Sequence, residues 1–249
     1  MKALITGASS GIGRDMARVL SDKGYDLILV ARRRERLEEL KHELKTDVEI
    51  ICADVSEKES CFRIYEEVKD KNIDVLINNA GFGVFGKFDD IDIEKELNMI
   101  DVNIKAVDIL TKLFLRDFKK KNKGYILNVA SSAAFLPGPL LSSYYASKAY
   151  VLRLTEAIYE ELRREKSDVY IGALCPGPVD TEFNKVANVR FALKGLTSEY
   201  VAEYAIRKMF KRKLVIVPGF LMKCARFAAK ITPGKLLLKI AYNQQRKKA

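Results

Sequence analysis

Three side chains that together can move a proton to or from an oxygen atom lie within residues 131–148. They are Ser131, Tyr144 and Lys148. The apolar spacing of residues 142–164 predicts a helix, and Tyr144 and Lys148 are four residues apart, so they lie one turn apart on one face. A phenol ionises with a pKa of about 10, which an adjacent ammonium lowers by favouring the phenolate. The spacing therefore predicts acid–base chemistry near neutral pH.

An apolar run before Ser131 predicts the strand that carries this hydroxyl. Residues 125–130 read Tyr-Ile-Leu-Asn-Val-Ala, and Ser131 follows directly. A hydroxyl at a strand end and two side chains of the next helix can converge on one carbonyl oxygen. Tyr145 also lies close to Lys148, three residues before it, so helix geometry alone does not choose between Tyr144 and Tyr145.

Apolar strands alternate with amphipathic helices along most of the chain. The predicted strands are residues 2–6, 26–31, 48–53, 75–78, 125–130, 170–175 and 214–217, and the predicted helices are residues 12–23, 33–45, 57–71, 93–118, 142–164 and 198–212. This alternation predicts a single doubly wound α/β domain with about seven parallel strands and helices on both faces. A ligand of such a sheet binds at the carboxyl ends of the strands.

A glycine-rich turn, Thr-Gly-Ala-Ser-Ser-Gly-Ile-Gly, joins the first predicted strand to the first helix. In this turn Gly7 permits the tight reversal, Gly11 lets the backbone approach a pyrophosphate, and Gly13 lets the helix pack closely on the sheet. The free N–H groups at the start of the helix then face phosphates. The alternative is an ordinary loop, but the strand before it and the helix after it favour a dinucleotide site.

The spacing Gly-x-x-x-Gly-x-Gly, together with a Ser followed thirteen residues later by Tyr-x-x-x-Lys, resembles the short-chain dehydrogenase/reductase family. The resemblance covers residues 1–219 and implies a Rossmann-type strand order and hydride transfer between a nicotinamide cofactor and a carbonyl or alcohol. It implies that Tyr144 is the proton donor, that Ser131 stabilises the oxyanion, and that Lys148 lowers the tyrosine pKa and binds the nicotinamide ribose. Both spacings select Tyr144 over Tyr145.

Further positions match the motifs of this family. Asn103 resembles the asparagine that kinks a long helix and holds a water on a proton relay to the lysine, and Asp54 resembles the residue that binds the adenine amino group. Asn78 and its neighbours resemble a motif that stabilises the central sheet beside the cofactor. The resemblance also implies cofactor contacts from Ser9, Ser10, Ile12, Val55, Asn79, Ala80, Gly81, Pro176, Gly177, Val179 and Thr181.

The end of the second predicted strand indicates which nicotinamide cofactor binds. NAD-binding units usually carry an acid there for the ribose 2′-hydroxyl, whereas this chain reads Val-Ala-Arg-Arg-Arg. Arginines at a helix N-terminus oppose the helix dipole unless an anion is present, and a 2′-phosphate is such an anion. We therefore expect NADP, bound by Arg32 first, Arg33 second and Arg14 as a further candidate. The alternative is a solvated cluster paired with nearby glutamates.

The basic character of the chain is concentrated at its C-terminal end. The formal net charge is +11, yet no Asp or Glu follows Glu203, and residues 204–249 hold 13 of the 44 basic residues. Residues 220–249 predict a basic amphipathic extension, packed on or appended to the domain formed by residues 1–219. Either it covers the core or a subunit interface of a homodimer or homotetramer, or it lies on an anionic membrane surface. Nucleic-acid binding is not expected, because no aromatic residues alternate with these charges.

Two apolar loops flank the predicted site and indicate a hydrophobic substrate. The loop after the Asn78–Gly81 motif contains Phe82, Val84, Phe85 and Phe88, and the loop before Tyr144 contains Phe135, Leu136, Leu140 and Leu141. A fatty-acyl or steroid-like ketone fits, as for a 3-oxoacyl carrier-protein reductase or a broad carbonyl reductase. Residues 182–197 predict a mobile lid over this substrate. From another functional class, a non-catalytic NADP-sensing or membrane-associated protein is the alternative.

The scarcity of metal-binding and nucleophile-activating residues excludes several classes. His42 is the only histidine and lies in a charged helix, which argues against a Ser-His-Asp hydrolase or a histidine-ligated metal site. The four cysteines lack metal-ligand spacing and are expected to be reduced and buried. The first strand begins at residue 2, leaving no room for a signal peptide, and no window predicts a membrane span. We expect a cytoplasmic protein, or one peripheral to the inner face of the membrane.

Overall fold

The computed structural model describes residues 1–183 and 195–246 and contains a central parallel sheet. Its strands are β1 (Lys2–Thr6), β2 (Asp26–Ala31), β3 (Val48–Cys52), β4 (Ile73–Asn78), β5 (Tyr125–Val129), β6 (Tyr170–Leu174) and β9 (Val215–Ile216). Two further short strands, β7 (Val179–Asp180) and β8 (Leu196–Thr197), pair with each other.

The helices connect these strands and flank the sheet. They are α1 (Gly11–Asp22), α2 (Arg34–Glu43), α3 (Lys58–Val68), α4 (Ile93–Ile100), α5 (Ala106–Lys121), α6 (Ser142–Arg164), α7 (Ser198–Phe210), α8 (Phe220–Ile231) and α9 (Gly234–Arg246). A short 3-10 helix, Ser132–Phe135, lies between β5 and α6. Most ends agree with the sequence prediction within two residues, and α6 agrees at both ends.

The sheet has the order β3-β2-β1-β4-β5-β6-β9, and every pair within it is parallel. This confirms the predicted doubly wound α/β fold. The chain reverses its direction of travel across the sheet between β1 and β4, so the loops after these two strands diverge and leave a crevice at their carboxyl ends. The glycine-rich turn follows β1, and the Asn78–Gly81 segment follows β4, which places both at this crevice.

Apolar cores lie on both faces of the sheet. On one face α1 and α7 pack together, burying side chains such as Met16, Leu20 and Ile206. On the other face α3, α5 and α6 bury side chains such as Phe114 and Phe118. Because both faces are covered, strands such as β1 and β2 are buried and apolar along most of their length, and their sequences do not alternate.

The predicted single helix over residues 93–118 is wrong in one respect. It is interrupted by a π-helical turn at Asp101–Lys105, which separates α4 from α5. Asn103 lies in this turn and is fully buried. Its amide donates to the backbone oxygen of Phe82 at 2.9 Å and to Ser147 Oγ at 3.0 Å. The wider turn aims this side chain at the neighbouring loop, a common use of π-helical turns at functional sites.

The C-terminal helices α8 and α9 begin directly after Gly219, which has a φ of 81°. No residue of α8 is fully buried, whereas Ala241 and Gln245 of α9 are. None of the described helices combines the length and the apolar content that crossing a bilayer requires. The expectation of buried cysteines is wrong for Cys52 and Cys224, which are exposed because their strand and helix positions point outward.

Candidate active site

A cleft of about 940 Å³ opens at the carboxyl ends of the strands. Nearly all of the residues that the sequence assigns to the site line it. Gly13 and Asn103 lie directly behind its wall, whereas Arg14, the further candidate for binding a phosphate, does not line it and lies 3.4 Å from Asp15. The lining includes Gly7, Ser9, Ser10, Gly11, Ile12, Arg32, Arg33, Asp54, Val55, Asn79, Ala80, Gly81, Ser131, Tyr144, Lys148, Pro176, Gly177, Val179 and Thr181.

The predicted proton-transfer residues meet in the middle of this cleft. Ser131 ends the β5 segment and caps the 3-10 helix, its Oγ accepting from the N–H of Ala133 at 3.1 Å. Tyr144 is 9% exposed and Lys148 is 4% exposed. The Lys148 Nζ donates to the backbone oxygen of Val129 at 3.0 Å and lies 5.9 Å from the centre of the Tyr144 ring. Strand β5 and helix α6 therefore bring hydroxyl, phenol and ammonium together.

Burial dominates the ionisation of this set. It raises the pKa of the Tyr144 phenol, while the hydrogen bond with Ser131 acts in the lowering direction. It also lowers the pKa of Lys148 to about 8, because a buried ammonium loses its hydration. The sequence predicts that Lys148 lowers the Tyr144 pKa. In this structure the loss of water around the phenol has the larger effect, and its pKa is raised instead.

Asn103 fixes the loop that runs beside Lys148. Its Oδ1 accepts from the N–H of Phe82 at 3.1 Å, in addition to the two bonds that its amide donates. A methyl group at Gly81 would lie 2.9 Å from Asn103 Oδ1 and 3.0 Å from Lys148 Nζ. A side chain at position 81 would therefore displace Asn103 or Lys148, because these polar atoms occupy the space that it would need. The geometry shows Asn103 as a support for the loop next to the ammonium.

The glycine-rich turn has the shape that a dinucleotide requires. Gly7 and Gly11 have φ values of 66° and 54°, in the left-handed region. A methyl group at Gly13 would lie 2.3 Å from Asn79 Nδ2, so only glycine lets α1 approach this closely. Asn79 Nδ2 itself donates to the backbone oxygens of Thr6 and Gly7, both at 3.0 Å. The residues present thus fit a pyrophosphate at the start of α1.

The second strand ends among arginines with different partners. Arg32 is exposed and lies 3.4 Å from Asp54. Arg33 instead donates to Ser9 Oγ at 3.0 Å and Ser10 Oγ at 2.9 Å, and it pairs with Glu182 at 2.9 Å. The guanidinium nearest the glycine-rich turn is thus that of Arg33, although the sequence ranks Arg32 first. The backbone turns after β2, and this places the second arginine over the turn.

The other side of the cleft is apolar. Of the two predicted loops, Phe82, Phe135, Leu136 and Leu141 line it, whereas Phe88 is 65% exposed and lies away from it. Phe183 packs on the Tyr144 ring at 5.3 Å between centroids. The predicted lid falls largely on residues 184–194, which lie outside the described part of the chain.

Sequence reasoning missed the contribution of the C-terminal helices to the site. Met222 packs on Gly177, where a methyl group would lie 2.6 Å from its Cγ. Ala225, Arg226 and Gln244 also line the cleft. The signal available was the amphipathic spacing of α8, which predicts that one face is buried but does not identify what covers it.

A polar contact holds α9 against the site. The buried Gln245 donates from Nε2 to the hydroxyl of Tyr145. The Tyr145 ring lies against Gly138, where a methyl group would lie 2.2 Å from ring carbon Cγ. Tyr145 therefore faces the C-terminal helix, while Tyr144 faces Ser131, so the structure separates the two adjacent tyrosines.

Comparison with known proteins agrees with this geometry. Residues 1–208 match the model of the short chain dehydrogenases. An uncharacterized oxidoreductase of Staphylococcus epidermidis is 36% identical over 181 residues, 72% of this chain and 78% of its own. The very-long-chain 3-oxoacyl-CoA reductase of Anas platyrhynchos is 32% identical over 198 residues, 76% of this chain and 63% of that protein. A short-chain dehydrogenase from Sphingobium yanoikuyae in complex with NADPH has a TM-score of 0.82 at 29% identity, covering 93% of this chain and 96% of that one.

With this sheet order, this cleft and these matches, the chain belongs to the short-chain dehydrogenase family. It is an oxidoreductase, and its cofactor is a nicotinamide dinucleotide. The glycine-rich turn and the start of α1 would hold the phosphates of that cofactor, and Lys148 lines the same cleft.

Proposed function

We propose that the protein reduces the carbonyl group of an apolar molecule with NADPH. The convergence of Ser131, Tyr144 and Lys148 in one cleft with an apolar wall carries this proposal. When bound, the cofactor supplies the hydride, and the protein supplies alignment and a proton.

Tyr144 is the proton donor to the carbonyl oxygen in this proposal. Its raised pKa keeps the phenol protonated at neutral pH, which is the form that the reductive direction needs. Ser131 donates a hydrogen bond to the same oxygen as negative charge develops on it. Lys148 is buried beside both and binds the nicotinamide ribose. Its ammonium also stabilises the phenolate that remains after proton transfer.

NADP is favoured over NAD by the charge at the end of β2. Residues 30–34 contain no acid that could accept a bond from a ribose 2′-hydroxyl, and Arg33 is already held above the glycine-rich turn by Ser9 and Ser10. A 2′-phosphate could replace Glu182 as its anionic partner. The relative from Sphingobium yanoikuyae carries NADPH in its structure, which agrees with this choice.

The Arg33→Ala variant should bind NADPH about tenfold to a hundredfold more weakly, because it loses charge-assisted hydrogen bonds to phosphate. Its affinity for NADH should change little. Arg34→Ala is the matched control, since Arg34 is exposed and pairs with Glu38 on α2. Isothermal titration with both cofactors measures this. Equal affinities of the unmodified protein for NADPH and NADH would refute the preference.

The apolar lining favours a fatty-acyl or steroid-like ketone as substrate. Phe135, Leu136, Leu141 and Phe183 line the cleft, and Leu141 and Phe183 belong to the apolar cluster that includes Tyr144. The similarity to a 3-oxoacyl-CoA reductase agrees with an acyl substrate. Loss of NADPH absorbance with a panel of 3-oxoacyl thioesters, ketosteroids and small ketones tests the proposal. Binding of NADPH without turnover of any member would favour the alternative, a non-catalytic NADP-binding protein.

The outer surface of α8 and α9 favours contact with an anionic membrane. Large apolar side chains are exposed there, with Phe220 80%, Phe227 65% and Ile231 67% exposed. Lysines 223, 230, 235 and 239 lie among them, and no acid follows Glu203 in the sequence. A surface that mixes exposed apolar groups with cations fits the headgroup region of a bilayer. A homodimer or homotetramer that buries this surface is the competing proposal.

A further inference from the structure

Arg226 is a cation in the cleft wall whose role the proposed reaction does not explain. It lies on the inner side of α8, is half-buried, and lines the cleft together with Met222 and Ala225. The guanidinium carbon lies 5.1 Å from the centre of the Phe135 ring. The buried Cys175 thiol lies close enough to sense this charge. Burial raises the pKa of Cys175, to about 12, and the charge of Arg226 acts in the lowering direction. The guanidinium is therefore directed inward rather than into bulk water.

Three of the other four cations that line the cleft have partners, and the fourth, Lys95, lies on α4 without an ion pair among the described residues. Arg32 pairs with Asp54, Arg33 pairs with Glu182, and Lys148 donates to the backbone oxygen of Val129. Among the described residues, no carboxylate oxygen lies within 4.0 Å of Arg226. Residues 184–194 and 247–249 contain no Asp or Glu in the sequence. Arg226 thus has an aromatic ring as its neighbour but no acidic side chain as its partner.

This arrangement leaves the hydrogen-bonding edge of the guanidinium available. Guanidinium N–H groups lie in the plane of the group, so stacking on a ring does not use them. Such a fork binds a carboxylate or phosphate with two parallel hydrogen bonds. The ring of Phe135 also restricts the side chain, which reduces the entropy lost when an anion binds.

We propose that Arg226 binds a carboxylate or a phosphate of the substrate, and that this group is located at some distance from the carbonyl that is reduced. The inference rests on the proposed reduction of an apolar ketone and narrows its substrate class to amphipathic anions. The apolar part of the molecule lies along Phe135 and Leu136, and the carbonyl lies at Ser131 and Tyr144. An acyl chain ending in a carboxylate and an acyl thioester of a phosphate-bearing carrier both have this chemistry.

The test compares charged and neutral forms of the same ketone. One pair is a long-chain oxo acid and its methyl ester, and the other is a 3-oxoacyl-CoA and the matching N-acetylcysteamine thioester, which lacks phosphates. For Arg226→Gln the ratio of kcat/KM for the charged over the neutral member should fall about tenfold, since a charge-assisted bond to a half-exposed group is lost. The pair that responds identifies the oxyanion. Arg226→Lys should restore part of the ratio.

Lys230→Gln is the matched control, because Lys230 lies one turn further along α8 and is exposed. It removes the same charge from the same helix and should leave both ratios unchanged. An equal loss for Arg226→Gln and Lys230→Gln, or an equal loss for charged and neutral ketones, would overturn the proposal.

A binding measurement separates this inference from the reaction on which it rests. The anionic dye 1-anilinonaphthalene-8-sulfonate should bind the cleft of the NADPH-loaded protein, and a long-chain fatty acid should displace it. Arg226→Gln should weaken displacement by the acid about tenfold relative to displacement by its methyl ester. If this holds but no ketone is turned over, the proposed function fails and the anion site stands. If ketones are turned over without charge discrimination, only the anion site fails.

Discussion

Tyr144 and Tyr145 are neighbours in sequence with opposite surroundings. Tyr144 lies at Ser131, whereas the hydroxyl of Tyr145 accepts a hydrogen bond from Gln245. Tyr144→Phe should therefore lower kcat by about 10²–10⁴, the usual contribution of a positioned proton donor, and leave NADPH binding intact. Tyr145→Phe should keep most of the activity. Steady-state kinetics on both variants measures this, and an active Tyr144→Phe beside a folded, inactive Tyr145→Phe would reverse the assignment.

The lowered pKa of Lys148 predicts a pH dependence of cofactor binding. Its pKa of about 8 applies to the protein without cofactor, so the ammonium is present below that pH and lost above it. Since the ammonium attracts the anionic cofactor, the affinity for NADPH should be highest below pH 8 and fall as the pH rises through it. Fluorescence titration of NADPH between about pH 6 and 10 measures this.

Lys148→Met is the control for this pH dependence. It removes the titrating group, so the affinity should be lower and nearly constant over the same range. The second ionisation of a phosphate occurs near pH 6, at the lower end of this range and about two pH units below the expected fall in affinity. A fall above pH 8 that persists in Lys148→Met would assign the titration to another group.

At the scale of elements, the position of the glycine-rich turn depends on the contact between α1 and Asn79, which follows the end of β4. A methyl group at Gly13 would lie 2.3 Å from Asn79 Nδ2 and 2.5 Å from the Gly7 oxygen. Gly13→Ala should therefore push the helix away, at a cost of roughly 1–3 kcal/mol in the free energy of unfolding. The melting temperature should fall by about 2–10 °C, and NADPH binding should weaken because the phosphate cradle shifts.

Gly234→Ala is the matched control, since no atom lies within 4 Å of a methyl group at that first residue of α9. It should leave the melting temperature and NADPH affinity close to those of the unmodified protein. Thermal unfolding followed by circular dichroism, together with cofactor titration, measures both. A Gly13→Ala protein as stable and as tightly binding as Gly234→Ala would show that the close approach is dispensable.

At the scale of the molecule, the exposed face of α8 and α9 predicts salt-dependent binding to anionic vesicles. Reversing Lys223 and Lys230 to Glu should weaken binding at low salt by at least about a hundredfold, because each cation near an anionic surface contributes about 1 kcal/mol. Sedimentation with phosphatidylcholine vesicles containing phosphatidylglycerol measures this. Added salt should also release the unmodified protein.

Changing both Lys45 and Lys120 to Glu is the control. Both lysines are exposed and lie outside α8 and α9, and this double variant has the same net charge as the first one. It should retain binding. Equal release of both double variants would indicate an effect of total charge alone. A single dimeric or tetrameric mass in solution, lost when Phe227 and Ile231 are changed to Ser, would assign the apolar face to a subunit interface.

Much of this architecture can be predicted from the sequence because it follows from local patterns. The apolar strands and the ends of α6 are set by residues close in the chain, and the Tyr144–Lys148 pairing follows from helical spacing. The resemblance implied a kink at Asn103, but local spacing did not predict the π-helical turn or the two hydrogen bonds between Asn103 and the backbone of Phe82. The bond between Tyr145 and Gln245 joins residues 100 positions apart. Helical periodicity carries no information on which element such a distant residue meets.

The strand order has a consequence for how the molecule is made on the ribosome. In the order β3-β2-β1-β4-β5-β6-β9, each strand after β1 pairs with one that was synthesised earlier, and it always joins at a free edge. The nascent sheet can therefore grow outward from β1 without opening a pair already formed, and N-terminal parts commonly fold first during synthesis. The phosphate cradle is complete once β4 has emerged, and the wall formed by α8 and α9 is added last. A chain stalled shortly after β9 would therefore contain the complete phosphate-binding part of the fold, with the cleft still open on the side that α8 and α9 cover.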